Sequence, residues 1–360
     1  MLLGWIVGQI INNTTIKVPD LTYSLRFLGT LGLILIVLDG TLEIELNRSK
    51  IPVIKKSIIS SVLQILLLAF LLATAFRYFL PQTSYTDALT NAIPLCVISS
   101  AIAIPSVKHL SKSNREFITY ESSLSDIFGV VFFNFVALNA LSQSHTAGES
   151  LLQLLIMIAV SFAATVMLAF LLSKIDHHIK FIPIILLILL IYSIARLYHL
   201  PALIFILIFG LFLGNLDELK TFKWTNSFKV DELNKEVHQF KSLNAEATFL
   251  VRALFFLLFG FLIETREVLN TVTLPWAIAI IVIILVLRII QFKLFRTEIY
   301  PLVFIAPRGL INIQLFLSIV PAQHIPLVNK SLLIQVVLLS SLVLMIGLML
   351  TRKKADPLPV

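Results

Sequence analysis

Two carboxylates, Glu121 and Asp126, stand in the apolar run 117–141, while Arg288 and Arg308 stand in two other apolar runs. Charged side chains in hydrocarbon are expensive, so two of each sign there point to function. A carboxylate can hold a proton or a dehydrated alkali cation, but not both at once. That competition couples two opposed fluxes if the group faces one compartment at a time. Burial and a neighbouring arginine push a carboxyl pKa in opposite directions, which lets its working value be tuned. The chemistry is exchange, and Asp126 is the candidate carrier.

Ser122 precedes Asp126 by one helical turn and so shares its face. Its hydroxyl oxygen suits a hard cation, or else it bonds back to its own helix. Ser125 adjoins Asp126 and falls on the stripe of Glu121. Glu121 is expected to pair with Arg308 as a scaffold tie between elements, since a buried charge needs a partner. Arg288 is then left either to compensate Asp126 when the site is empty or to snorkel toward an interface. Asp39, deep in the run 25–46, is a candidate for lining a cytoplasmic ion funnel, whereas Glu43 and Glu45 nearer its end are expected to be solvated.

The elements that must position these groups are membrane helices. The chain has 360 residues, 58% hydrophobic and only 13% charged, with a mean hydropathy of +0.97. That composition belongs to a polytopic membrane protein. The net charge of +8 could suit a nucleic-acid partner, but the basic residues are dispersed through short loops. One cysteine, Cys96, rules out a disulfide framework. A hydrocarbon core about 30 Å thick needs roughly 20 helical residues. Candidate spans are 25–46, 53–76, 88–108, 117–141, 151–173, 181–198, 201–214, 247–263, 274–292, 299–320 and 331–351, with a half-length apolar piece at 1–11. The fold class is all-α, with about 11–12 spans.

Loop charges set the orientation. Alternate loops hold the clusters Arg48–Lys56, Lys108–Arg115, Lys220–Lys241 and Arg352–Lys354, and the opposite set holds only Lys17, Arg77, Arg266 and Lys330. The positive-inside rule places the first set and the C-terminus in the cytoplasm of a plasma (inner) membrane protein. The polar stretch 215–246 reads as a cytoplasmic loop with an amphipathic helical piece.

Prolines interrupt two spans, one from Asn91 through Pro94 to Pro105, the other from Pro301 through Pro307 to Gly309. Each either kinks a helix or breaks it, and a broken backbone at membrane depth persists only where protein or water satisfies it. One interruption in each half points to an inverted repeat with a midplane site. The whole chain, 1–360, then reads as one transmembrane domain. Residues 1–46 form scaffold spans, 53–141 a first core half, 151–263 linking and scaffold spans, and 274–351 a second core half.

At these residues the chain resembles the monovalent cation:proton antiporters, specifically the sodium/proton exchanger (NhaP-like) branch. Glu121-Ser122-Ser123-Leu124-Ser125-Asp126 looks like that family's E-S-x-x-N-D motif, and Pro307-Arg308-Gly309-Leu310 is similar to its L-R-G element. Arg288 matches a family arginine on the preceding helix, and Asp39-Gly40 resembles an early acidic-glycine pair. Phe255-Phe256 through Gly260 is like the F-F-x-x-x-G run of a dimer-side helix. The resemblance implies an inverted-repeat antiporter fold with two broken crossing helices and alternating access. It also implies a homodimer in the lipid bilayer, and one-for-one exchange of sodium or potassium for protons. It begins within the family's second span, so the first family span is expected to be absent. The family's T-D-P reads Ala103-Ile104-Pro105 here, which removes an acid, and carbonyls around Ala103 are candidate ion ligands.

No enzyme, cofactor or fixed metal site is expected, because all seven histidines fall in loops or at span ends and no H-E-x-x-H, P-loop or G-x-G-x-x-G is present. Two other readings stay open: a transport-inactive membrane sensor or interaction protein, suggested by Ile104, and a sodium-coupled organic-anion symporter.

Overall fold

The computed structural model describes residues 1–12, 19–141, 202–216 and 230–352, with 161, 162, 165, 188, 189 and 192. The expected spans 151–173 and 181–198 lie almost wholly outside these residues. Every regular element among the described residues is helical. In chain order they are α1 (Leu2–Asn12), α2 (Thr22–Leu42), α3 (Ile51–Phe79), α4 (Tyr85–Ala92), α5 (Ser100–Ser106) and α6 (Lys112–Leu141). Then follow α7 (Ala202–Gly214), α8 (Val230–Phe261), α9 (Thr265–Val268), α10 (Leu274–Leu294), α11 (Leu310–Leu317) and α12 (Lys330–Arg352). Six described segments are long and apolar enough to cross a membrane: Tyr23–Leu42, Ile51–Phe79, Tyr85–Ser106, Val237–Phe261, Leu274–Leu294 and Lys330–Thr351.

The chain divides into two compact units. One comprises Met1–Leu21, Lys55–Gly129 and Phe256–Val360; the other comprises Thr22–Ile54 and Val130–Phe255. In the second unit α2 lies against α7, where Gly210 leaves room for the Thr41 hydroxyl. The Asn215 amide ties down the chain leaving α2, donating to the Ile44 carbonyl at 2.8 Å and accepting from the Leu46 N–H at 2.6 Å. Helix α8 begins at Val230 and contains the helical piece expected within 215–246. No proline or glycine interrupts 230–259, so the polar segment continues unbroken into the apolar one.

In the first unit the two interrupted spans share one pattern. After α4 the chain makes a 3₁₀ turn at Ile93–Leu95, runs irregularly through Cys96–Ser99, and restarts as α5. After Pro301 it makes a 3₁₀ turn at Leu302–Phe304, runs extended through Ile305–Gly309, and restarts as α11. Ile93 keeps helical dihedrals, and the first helix gives way at Pro94, which sits in the 3₁₀ turn and has no N–H to donate back to α4. Ala103 and Pro105 therefore lie inside α5, not at the interruption where the sequence suggested a break; Pro307 and Gly309 do lie in theirs.

The freed backbone groups find one another. The Ser99 N–H donates to the Pro307 carbonyl at 2.9 Å. Asn312 donates to the carbonyls of Pro94 (2.7 Å) and Val97 (2.8 Å) and accepts from the Gly309 N–H at 2.7 Å. Arg308 donates to the carbonyls of Leu95 (3.0 Å), Cys96 (3.2 Å) and its own neighbour Ala306 (2.6 Å). The Ser340 hydroxyl, on α12, accepts from the Arg308 N–H at 3.0 Å. Gly309 is required where the strands cross, since a Cβ there would stand 2.4 Å from the Ser99 hydroxyl oxygen. Gly309→Ala should lower stability by roughly 1–3 kcal/mol through this overlap, read as a lower thermal unfolding midpoint in detergent. An unchanged midpoint would show that the crossing yields.

Candidate functional site

Helix α6 carries the acidic residues into this crossing. It stays helical across Ser122, Ser123 and Ser125, and Gly129 lets it close on the first interruption, where a Cβ would lie 2.3 Å from a Val97 methyl. Glu121 and Asp126 are both buried, as are Arg288 and Arg308. Ionic groups taken out of water persist only with close partners.

Glu121 takes its partner from α10. Arg288 reaches its two carboxylate oxygens at 3.3 and 3.0 Å, and also donates to the Leu302 carbonyl at 3.0 Å. The Ser60 hydroxyl of α3 donates to Glu121 at 2.5 Å, and Gln291, one turn from Arg288, donates to the Ser60 carbonyl and hydroxyl at 2.7 and 2.6 Å. The Phe292 ring centroid lies 4.8 Å from the guanidinium carbon. This corrects the expected Glu121–Arg308 pair. The planar fork of Arg288 meets the carboxylate with two nitrogens, while Arg308 is committed to main-chain carbonyls. It equally removes Arg288 from the role of compensating Asp126.

Asp126 is held by the start of α5. Its Oδ2 accepts from the Ser100 N–H at 3.1 Å and from the Ser100 hydroxyl in a short contact. The adjacent Ser125 hydroxyl accepts from the Ile98 N–H at 2.9 Å, so neighbouring residues of α6 grip both sides of the interruption. Ser122 bonds back to the Ile118 carbonyl at 2.8 Å. The Ala103 carbonyl accepts from the Ser106 hydroxyl at 2.7 Å, inside α5. Asp39 belongs to the second unit, where Asn244 of α8 donates to it at 3.3 Å.

The structure thus gathers Asp126, Ser125, Pro307 and Gly309 around the crossing, with Glu121 and Arg288 beside it on α6 and α10. Ser99, Ser100, Asn312, Ser60 and Gln291 were missed by the sequence reading. Ser99-Ser100 directly follows an apolar run, and Gln291 repeats the face of Arg288 one turn on. Those were the available signals. Among the described residues no cluster of histidine, cysteine and carboxylate side chains could hold a fixed metal. Asp126 is a buried carboxylate that accepts from the hydroxyl and the N–H of Ser100.

A sequence model of the family described as sodium/hydrogen exchanger, transmembrane, matches residues 1–352. No curated protein matches the chain. Its fold is similar to the sodium proton antiporter MjNhaP1 of Methanocaldococcus jannaschii at pH 8, with a TM-score of 0.67 and 16% identity over 98% of this chain and 91% of that one. An electron-microscopy map of the same antiporter gives 0.66 and 16% over 99% and 91%. Breaking one partner of the Glu121–Arg288 pair by Glu121→Gln should cost about 3–5 kcal/mol. Glu121→Gln with Arg288→Met should cost less than the sum of the two single changes, measured by unfolding in detergent. Strict additivity would mean the two side chains do not interact.

Proposed function

The chain belongs to the sodium/hydrogen exchanger family, and we propose that it moves sodium across a membrane in exchange for protons, with Asp126 as the shared carrier. The observation that carries this reading is the burial of Asp126 against Ser100 at the crossing of two interrupted helices. A carboxylate buried there can be neutralised by either ion.

The charges around it support one-for-one exchange. Glu121 and Arg288 cancel, and Arg308 carries one positive charge against the negative charge of ionised Asp126. Sodium-loaded and proton-loaded forms then carry equal charge, so a complete cycle moves none. Potassium is the alternative cargo. Oxygen ligands beyond Asp126 would come from nearby hydroxyls, including those of Ser100, Ser122 and Ser125.

Alternating access follows if the core built on the crossing moves while the ion stays bound. In this reading 53–141 and 274–351 form the moving core, and 1–46 with 151–263 form the scaffold. Asp39 serves the cytoplasmic funnel, two copies assemble in the plasma membrane, and the C-terminus faces the cytoplasm. The loop charges support that orientation.

Asp126→Asn should abolish sodium-dependent proton flux in everted vesicles while leaving the amount of inserted protein unchanged. Saturable exchange by this variant would remove Asp126 from its role.

A further inference from the structure

One turn beyond the Glu121–Arg288 pair, the first unit holds a buried polar layer that neither the pair nor the carrier uses. Helices α3 and α6 run in the same direction there. Ser57 donates to the Phe117 carbonyl at 3.3 Å, and one turn on Ser60 donates to Glu121. Carrying that register one further turn sets Gln64 level with Ser125. Gln64 is 1% exposed, yet neither its amide nitrogen nor its amide oxygen has a partner among the described residues. Helix α10 runs the opposite way, with Gln291 at Ser60 and Arg288 at Glu121. The Arg288 Nε–H is likewise buried and without a partner among the described residues. On the far side, Ser125 abuts the interruption through Ile98, two residues from the Ser100 that meets Asp126.

Leaving a buried donor or acceptor unmade costs about 1–3 kcal/mol each. A leucine or methionine in place of Gln64 would fill similar space without that cost, so stability does not explain the amide. The Gln64 amide, with the Arg288 Nε–H and the Ser125 hydroxyl on the two helices packed against this face of α3, offers the donors and acceptors that an internal water takes. We propose that Gln64, the Arg288 Nε–H and the Ser125 hydroxyl hold a water relay, and that protons reach and leave Asp126 along it rather than along the cation's path. This rests on the reading of Asp126 as carrier. As sodium departs, a relay water passes one proton to an Asp126 oxygen while taking another from the next water toward solvent, and so stays neutral; the reverse transfer frees the carboxylate for the next cation. Gln64 orients the water and takes no proton itself. It is a positioning residue.

The test compares two fluxes in proteoliposomes of the purified protein: sodium-driven proton movement, and isotopic sodium–sodium exchange, which needs the cation site but no proton. Gln64→Leu should slow the first by about tenfold, leave its KM for sodium unchanged, and spare the second. Its unfolding midpoint should stay level or rise. Gln64→Met, unbranched and of similar length, serves if the leucine variant does not fold, with the same expected split. Equal loss of both fluxes would make Gln64 structural, and retention of both would show that protons travel elsewhere; either overturns the relay. Wild-type protein that exchanges sodium for sodium but moves no protons would instead sink the exchange reading, and the relay with it.

Discussion

The satisfaction of broken backbone in a water-poor interior is the constraint on which the rest of the first unit depends. A helix interrupted at membrane depth exposes carbonyls and N–H groups that lipid cannot serve. Here Arg308 and Asn312, both on the second interrupted segment, serve the carbonyls of Pro94 through Val97 on the first. Five donor hydrogens of a guanidinium suit this task as no neutral side chain does. Once Arg308 is held there, Glu121 must find its cation elsewhere, and Arg288 on α10 supplies it. The ion pair is thus a consequence of how the crossing is closed.

Much of this was legible in the residues. Prolines at 94, 301 and 307 marked both interruptions, and an acidic motif in an apolar run marked the candidate carrier. The long apolar stretches gave most described helices to within a few residues of their ends. The choice between two arginines was not legible, because it turns on which one the broken backbone claims, and that is a three-dimensional matter. The position of the first break was misread for a related reason. Two prolines bracket Cys96–Ser99, and pattern alone does not say which of them ends a helix. Pro105 sits in the last turn of α5, where few hydrogen bonds remain to be lost, while Pro94 ends α4 outright. The polar start of α8 was read as a separate helical piece within a loop, whereas the lack of any helix breaker carries it straight into the apolar segment.

The second unit shows the same economy with weaker groups. Asn215 closes the end of α2 by serving two main-chain atoms, and Asn244 and Thr248 of α8 both donate toward the Leu35 carbonyl. Neutral amides and hydroxyls suffice there because the helices are not interrupted, and only stray acceptors need a donor. At the first interruption, where whole peptide groups have been stripped of partners, a charged donor, Arg308, does this work.

That division of labour also limits what a transported ion can meet. The carbonyls that an interrupted helix would ordinarily offer a cation are those of Pro94, Leu95, Cys96 and Val97, and all four are engaged by side chains of the other segment. Asp126 instead faces donors, the N–H and hydroxyl of Ser100. A hydroxyl can turn and present a lone pair, whereas an N–H cannot. A cation held at Oδ2 of Asp126 would need the Ser100 hydroxyl to turn its lone pair toward it. A proton needs no such change, because a protonated carboxyl can still accept from the same hydroxyl. Ser100, more than any carbonyl of the broken backbone, is the group at Asp126 whose orientation would differ between a bound cation and a bound proton.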